Sequence, residues 1–152
     1  MRLILTCRCP AISLAQSKGI DAFALNLGRD DWEPAKVADA YKAAIGTTFK
    51  LYPMFDMASL PCDRDEDKHF IRRLITDYHE HSNQLRYNGV PVVATFGGQS
   101  CRFGTGHMDD GWTNVVKRDL APVHFIPSFF IEPPIYEGLK CNDGAFSVGH
   151  MF

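Results

Sequence analysis

Apart from Asp21, the run from Ile20 to Leu27 stays apolar until Asn26 and leads directly into Gly28-Arg29-Asp30-Asp31-Trp32. A run of this kind fits a strand covered on both faces, as the strands of parallel sheets are. In parallel α/β folds the loops leaving the C-terminal ends of the strands carry the ligand chemistry, because they can vary while the sheet beneath stays rigid. The end of this strand and the cluster after it are therefore the first candidate site, and Asn26, Asp30, Asp31 and Trp32 are its residues.

The same design repeats along the chain. Ile12 to Lys18 reads as a short helix closed by Gly19 at C′. After the strand, Asp31 is predicted to cap a helix whose buried face is Val37, Ala38, Tyr41, Ala44 and Ile45. Phe49 to Phe55 reads as a second strand, with Pro53 counting against regular pairing and Asp56 at its end. Asp63 and Glu66 suggest a capping box for a helix carrying Phe70, Ile71, Leu74, Ile75, Tyr78 and Leu85. Asn88-Gly89 marks a turn, Val90 to Phe96 a third strand, and Gly97-Gly98-Gln99-Ser100 a loop. A short helix over Trp112 to Leu120, a fourth strand over Val123 to Pro127 and a fifth from Gly144 to Val148 complete the reading.

Strands alternating with helices at this spacing predict a parallel α/β sheet. No Gly-x-Gly-x-x-Gly follows the first strand and no P-loop is present, so the phosphate-binding open sheets lose their sequence support. A (β/α)8 barrel is the preferred class, and with four to five βα units against eight it is an incomplete one.

The chain has 152 residues, 45% of them hydrophobic, enough to bury one core in a single domain spanning 1–152. A formal net charge of −2 offers no basic surface for nucleic acid or an anionic membrane. No apolar run approaches the roughly 18 residues of a membrane span, and no export signal is visible at Met1. Five cysteines, Cys7, Cys9, Cys62, Cys101 and Cys141, leave at least one thiol out of intramolecular disulfides. Metal ligation has little support. Cys7 and Cys9 have no second pair nearby, His79 and His81 would point to different helix faces, and His107 with Asp109 and Asp110 reads as a polar loop.

Four stretches carry a family resemblance: Gly19-Ile20-Asp21-Ala22-Phe23-Ala24-Leu25-Asn26-Leu27-Gly28, then Phe49-Lys50-Leu51 with Phe55-Asp56-Met57, then Thr95-Phe96-Gly97-Gly98, and Phe125-Ile126-Pro127. In order and spacing they resemble glycoside hydrolase family 71, over about Ile12 to Ser147. The resemblance implies a (β/α)8 catalytic domain of the fungal α-1,3-glucanases, or mutanases. It also implies α-1,3-glucan as substrate, an extracellular or cell-wall location, and hydrolysis without metal or organic cofactor. Asp143-Gly144-Ala145-Phe146-Ser147 is similar to the family's Asp-Gly-x-Phe-Ser, but Val148-Gly149-His150-Met151-Phe152 departs from the tryptophan-containing continuation. A family member would also have a first strand where Met1 to Pro10 stands. A truncated or wrongly spliced gene is therefore expected ahead of a short paralogue.

Glycoside hydrolysis normally uses two carboxyl groups flanking the scissile bond. Asp56, directly after a strand, is the candidate catalytic acid, with loop capping as its competing role. The family's main catalytic acids are expected beyond Phe152, and Asp143 lies on the stability side of the sheet. Asn26, Asp30, Asp31, Trp32, Thr95, Phe96 and Gln99 are the candidate substrate-binding residues, because sugar rings stack on aromatic faces and their hydroxyls bond to carboxamides and carboxylates. Capping competes for Asp31 and core packing for Phe96. Two classes stay open: an α-1,3-glucan hydrolase, and an inactive fragment or carbohydrate-binding remnant.

Overall fold

The structure, a computed structural model, describes residues 10–146. The elements alternate as helix α1 (Pro10–Ser17), strand β1 (Ala22–Leu27), α2 (Glu33–Ala44), β2 (Lys50–Asp56), α3 (Lys68–Tyr78), β3 (Arg86–Tyr87), β4 (Val90–Phe96), α4 (Met108–Val116), β5 (His124–Ser128) and α5 (Pro133–Glu137). The four main strands are parallel and lie in chain order, β1 on β2, β2 on β4 and β4 on β5. The two-residue β3 pairs antiparallel with the start of β4. Asn88 and Gly89, both at positive φ (49° and 79°), make the tight turn between them.

One face of the sheet carries the helices. Leu27, Leu51, Phe55, Val93 and Phe125 alternate along their strands and join a single buried cluster with Ile12 of α1, Val37 and Tyr41 of α2, Ile71 and Leu74 of α3, and Trp112 and Val115 of α4. On β2 the alternation is complete: Leu51, Pro53 and Phe55 are buried, and Tyr52, Met54 and Asp56 are half-buried. The expectation of strands covered on both faces fails for β1. Ala22, Phe23, Ala24 and Leu25 are only half-buried and Asn26 is exposed, because β1 pairs with β2 alone and is the edge of the described sheet. Residues 91–95 of central β4 are buried on both faces.

Pro53 is tolerated for a specific reason. Leu51 N–H donates to Asn83 O, and in an extended strand residue 53 directs its nitrogen to the same side. There the neighbour changes from the segment around Gln84 to β4, whose pairing with β2 begins at Met54. The missing donor falls in that gap. Gln84, 3% exposed, fills the junction: its Nε2 donates to Val92 O (2.9 Å) and Leu85 O (3.1 Å), and its Oε1 accepts from the Tyr41 hydroxyl (2.6 Å).

Several boundaries differ from the sequence reading. Asp31 does not cap α2; Trp32 occupies that position without a side-chain cap, and Ala38 and Ile45 are exposed. The box before α3 is shifted by one residue, with the Asp67 carboxylate accepting from Arg64 N–H (2.8 Å). Leu85 belongs to the sheet margin, where its N–H reaches Leu51 O. His79 and His81 lie beyond the last helical residue, not on two faces of α3, and both are packed. His79 bonds to Pro122 O, and the His81 ring lies 4.9 Å from that of Tyr41. The helix placed at Trp112 starts four residues earlier, and α5 and β3 were not foreseen. Residues 144–146 form no strand, although Asp143 N–H and Phe146 N–H donate to Phe125 O and Pro127 O and so track β5. Ser147, Val148, Cys7 and Cys9 lie outside the described residues.

Tyr41→Phe leaves the buried Gln84 oxygen without its donor and is expected to cost about 1–3 kcal/mol, read as a lower urea midpoint with an unchanged slope. Burial, then the charge of Lys50, lowers the His81 pKa, so between that folded value and about 6.5 the unfolded chain binds more protons than the folded one. His81 therefore supports stability above about pH 6.5 and loses that contribution as pH falls through the folded value. Unfolding measured at pH 7.5 and pH 5.5 should show a smaller difference in His81→Asn than in the parent chain.

Candidate functional site

Parallel pairing brings the C-terminal ends of the strands to one edge. Asp56 is in register with Phe96, and Phe96 with Ser128, so these three residues form a row on the face away from the helices. Backbone bonds continue the row past the strands, from Met57 N–H to Phe96 O and from Gly97 N–H to Ser128 O (3.0 Å each). The Asp56 carboxylate accepts from Ala58 N–H (3.0 Å), and its carbonyl accepts from Ser59 and Leu60 N–H. The capping role is thus occupied by one carboxylate oxygen, and the other takes no bond from the described residues.

The loop after β4 is held by its own chemistry. Thr95 is buried, and its hydroxyl donates to Gly97 O (3.0 Å). Gly97 and Gly98 have φ of 68° and 106°. A Cβ on Gly98 would lie 2.8 Å from Trp112 and 3.2 Å from both Met57 and Phe129, so only glycine fits. The Trp112 indole N–H donates to Gly98 O (2.9 Å) from within the core. Gln99 Oε1 faces the N–H of Phe130 at 3.4 Å, and the rings of Phe96 and Phe130 meet edge to face at 5.4 Å. A disulfide between Cys62 and Cys101 ties the loop after β2 to the loop after β4. Arg102 and Phe103 N–H reinforce that tie by donating to Cys62 O.

The loop after β1 is organised by Glu33, whose Oε2 accepts from Gly28 N–H (2.8 Å) and Asp30 N–H (3.2 Å). Gly28 is wedged against the neighbouring loop, since a Cβ there would lie 2.6 Å from the Ser59 hydroxyl. This fixes the base from which Arg29, Asp30, Asp31 and Trp32 project.

The predicted residues do not converge on one hollow. Asp56 and Phe96 belong to the row and Gln99 to the loop beyond it; none of the three lines the cavity of about 580 Å³ beside β5, whose walls include Ser128, Phe129, Phe130, Glu132 and Tyr136. Asn26 and Trp32 share a smaller hollow of about 190 Å³ with Lys36, beside the edge of β1. Asp30 and Asp31 line a third, of about 550 Å³, toward α3. Thr95 departs from its predicted role: its side chain points to the helix face and holds the loop from beneath. Sequence reasoning missed Glu33, whose first-turn position carried a signal, and Phe130, Glu132 and Tyr136, for which the segment around Pro133-Pro134 carried none.

Other polar groups have structural duties. Asp143 Oδ2 accepts from Phe125 N–H (2.8 Å) and pairs with Lys117 at the opposite edge of the sheet. Asp109 accepts from Lys140 and Cys141 N–H. Burial, with Asp109 beside it, pushes the Cys141 thiol up and out of the reactive range. Burial likewise raises the Tyr136 hydroxyl to about 12, and it stays a donor to Pro127 O. Among the described residues, no three His, Cys, Asp or Glu side chains gather as metal ligands. The disulfide closes a loop with a sequence separation of 39. Its removal by paired Ser substitution is expected to lower stability by about 4 kcal/mol on the loop-entropy relation, measured by urea unfolding under non-reducing conditions.

The profile of glycosyl hydrolase family 71 matches residues 10–149. The chain is 39% identical over 117 residues to a glucan endo-1,3-alpha-glucosidase of Schizosaccharomyces pombe, covering 73% of this chain and 27% of that protein. It is 35% identical over 138 residues to a mutanase of Penicillium rubens, covering 90% and 28%. To the ascus wall endo-1,3-alpha-glucanase of Schizosaccharomyces pombe it is 30% identical over 143 residues, covering 88% and 32%. The chain thus spans about a third or less of the length of these relatives. With the match extending over nearly all of its residues, the chain belongs to glycosyl hydrolase family 71.

Proposed function

We propose that this chain forms part of a (β/α)8 catalytic domain that hydrolyses α-1,3-glucan outside the cell or in the cell wall. Parallel strands in chain order, with all helix-borne core residues on one sheet face, support the barrel, because an open doubly wound sheet divides its helices between both faces. The names of the relatives support the substrate, and a disulfide accords with an oxidising compartment.

The observation that carries the reading is the row at the strand ends, in a chain of this family. Asp56 supplies one carboxylate at that edge, Phe96 and Phe130 supply ring faces and edges for a pyranose, and Gln99 supplies a carboxamide. Asn26 and Trp32 extend the contact surface beside β1, and Asp30 and Asp31 do so toward α3. Thr95 and Trp112 act beneath the site by fixing Gly97 and Gly98. Hydrolysis by the paired-carboxyl route needs only water and a second carboxyl group. A second reading, a carbohydrate-binding remnant, is favoured by one observation: the row itself contains a single carboxylate.

The test is reducing-sugar release from insoluble α-1,3-glucan by the purified 152-residue chain. Asp56→Asn keeps an oxygen for Ala58 N–H and removes the charge, so it separates catalysis from capping. A drop of about 100-fold or more in the variant, with unchanged thermal midpoint, is expected of a catalytic carboxylate. No release from folded parent chain, with retention on the polymer in a pull-down, would establish the binding reading instead. Neither release nor retention would overturn both.

A further inference from the structure

The hollow between the loops after β1 and β2 and the start of α3 lies outside the Asp56–Phe96–Ser128 row. Its volume of about 550 Å³ is within the range of small-ligand sites. Its walls combine two kinds of surface. Pro34, Leu60, Pro61 and Phe70 form the apolar part, and Arg29, Arg73, Asp30, Asp31 and Asp67 form the polar rim.

The rim charges are largely uncommitted. The side chains of Arg29, Asp30 and Asp31 make no hydrogen bond or ion pair with any described residue, although guanidinium and carboxylate groups line the same hollow. Arg73 lies over the Phe70 ring, 5.6 Å from its centroid, and makes no ion pair among the described residues. Only Asp67 is engaged, by Arg64 N–H. The backbone under the rim is nevertheless fixed, because Glu33 binds Gly28 and Asp30 N–H and Gly28 abuts Ser59. Unspent donors and acceptors on a fixed loop keep their bonding capacity for a ligand.

The mixed charge selects the ligand class. Two guanidinium groups and three carboxylates leave little net field, so neither an anion nor a cation finds a complementary surface. A neutral molecule with many hydroxyls does, since carboxylates accept from hydroxyl groups and guanidinium groups donate to them in pairs. The apolar surfaces of Pro34 and Pro61, with the Phe70 ring that Arg73 covers on one face beside them, suit the C–H face of a pyranose ring.

We propose that this hollow is a second binding site for a neutral glucose oligosaccharide, holding a segment of glucan chain beside the strand-end row. The proposal rests on the glucan reading above and adds Arg29, Asp67, Phe70 and Arg73 to the residues that contact sugar.

Calorimetric titration of the purified chain with an α-1,3-linked glucose trisaccharide tests it. Arg29→Ala and Arg73→Ala change exposed side chains, and unchanged thermal midpoints would show that the variants fold. The expected result is a loss of affinity of about tenfold or more in each, with a galacturonate trisaccharide giving no heat. Parent-like affinity in both arginine variants would overturn the second site and leave the activity assay on insoluble glucan to judge the proposed function separately. Equal binding of the galacturonate trimer would overturn the neutral-sugar assignment. Absence of any trisaccharide binding by the parent chain would overturn the second site outright.

Discussion

The contact between Trp112 and Gly98 joins the core to the edge where chemistry is proposed. The indole is fully buried, packed between Phe103 (5.0 Å), Phe125 (5.2 Å) and Phe129 (5.9 Å), and its N–H is spent on Gly98 O. A group this large and this confined cannot shift without opening a cavity or stranding a donor. Its position sets the Gly97-Gly98 turn, the turn sets where Gln99 and Phe130 meet, and both set the end of the row that starts at Asp56. The disulfide and the Glu33 bonds act on the other two loops in the same way.

The sheet supplies the frame for this edge. Because its main strands run parallel and in chain order, consecutive strand ends are neighbours in space, and residues distant in sequence fall into one register row. Helix-borne residues cover one face, and the other face shows half-buried Tyr52, Met54 and Ile126. The polar junction at Gln84 keeps β2 and β4 aligned where Pro53 would otherwise leave a fault in the ladder.

Much of this order was legible in the chain. The apolar run after Gly19, the Asn88-Gly89 turn and the Val90 to Phe96 strand carry local signals that the structure repeats, since period and turn chemistry are properties of a few adjacent residues. Asp56 and Phe96 stand at strand ends and Gln99 in the loop after β4, as read, because strand ends are visible in sequence. Thr95 was placed with Phe96 in the same motif, but adjacent strand residues face opposite sides, and only the pairing register tells which side is which. Asp31 looked like a cap, yet Glu33 reached back to the loop amides first. Ala38 and Ile45 fitted the helical period, but Ala38 is exposed on α2 and Ile45, 58% exposed, follows its last helical residue. The division of the predicted residues between two hollows and the strand-end row depends on how separate loops meet, which no single stretch encodes.

The central claim is that glucan is bound along the strand-end row. Backbone amide shifts of the isotopically labelled chain, followed during titration with a soluble α-1,3-linked glucose oligosaccharide, test it most directly. The account predicts that the largest changes include Asp56, Phe96, Gly97, Gly98, Gln99 and Phe130. Changes confined to the opposite edge of the sheet, around Tyr87, His124 and Asp143, or no changes at all, would contradict it.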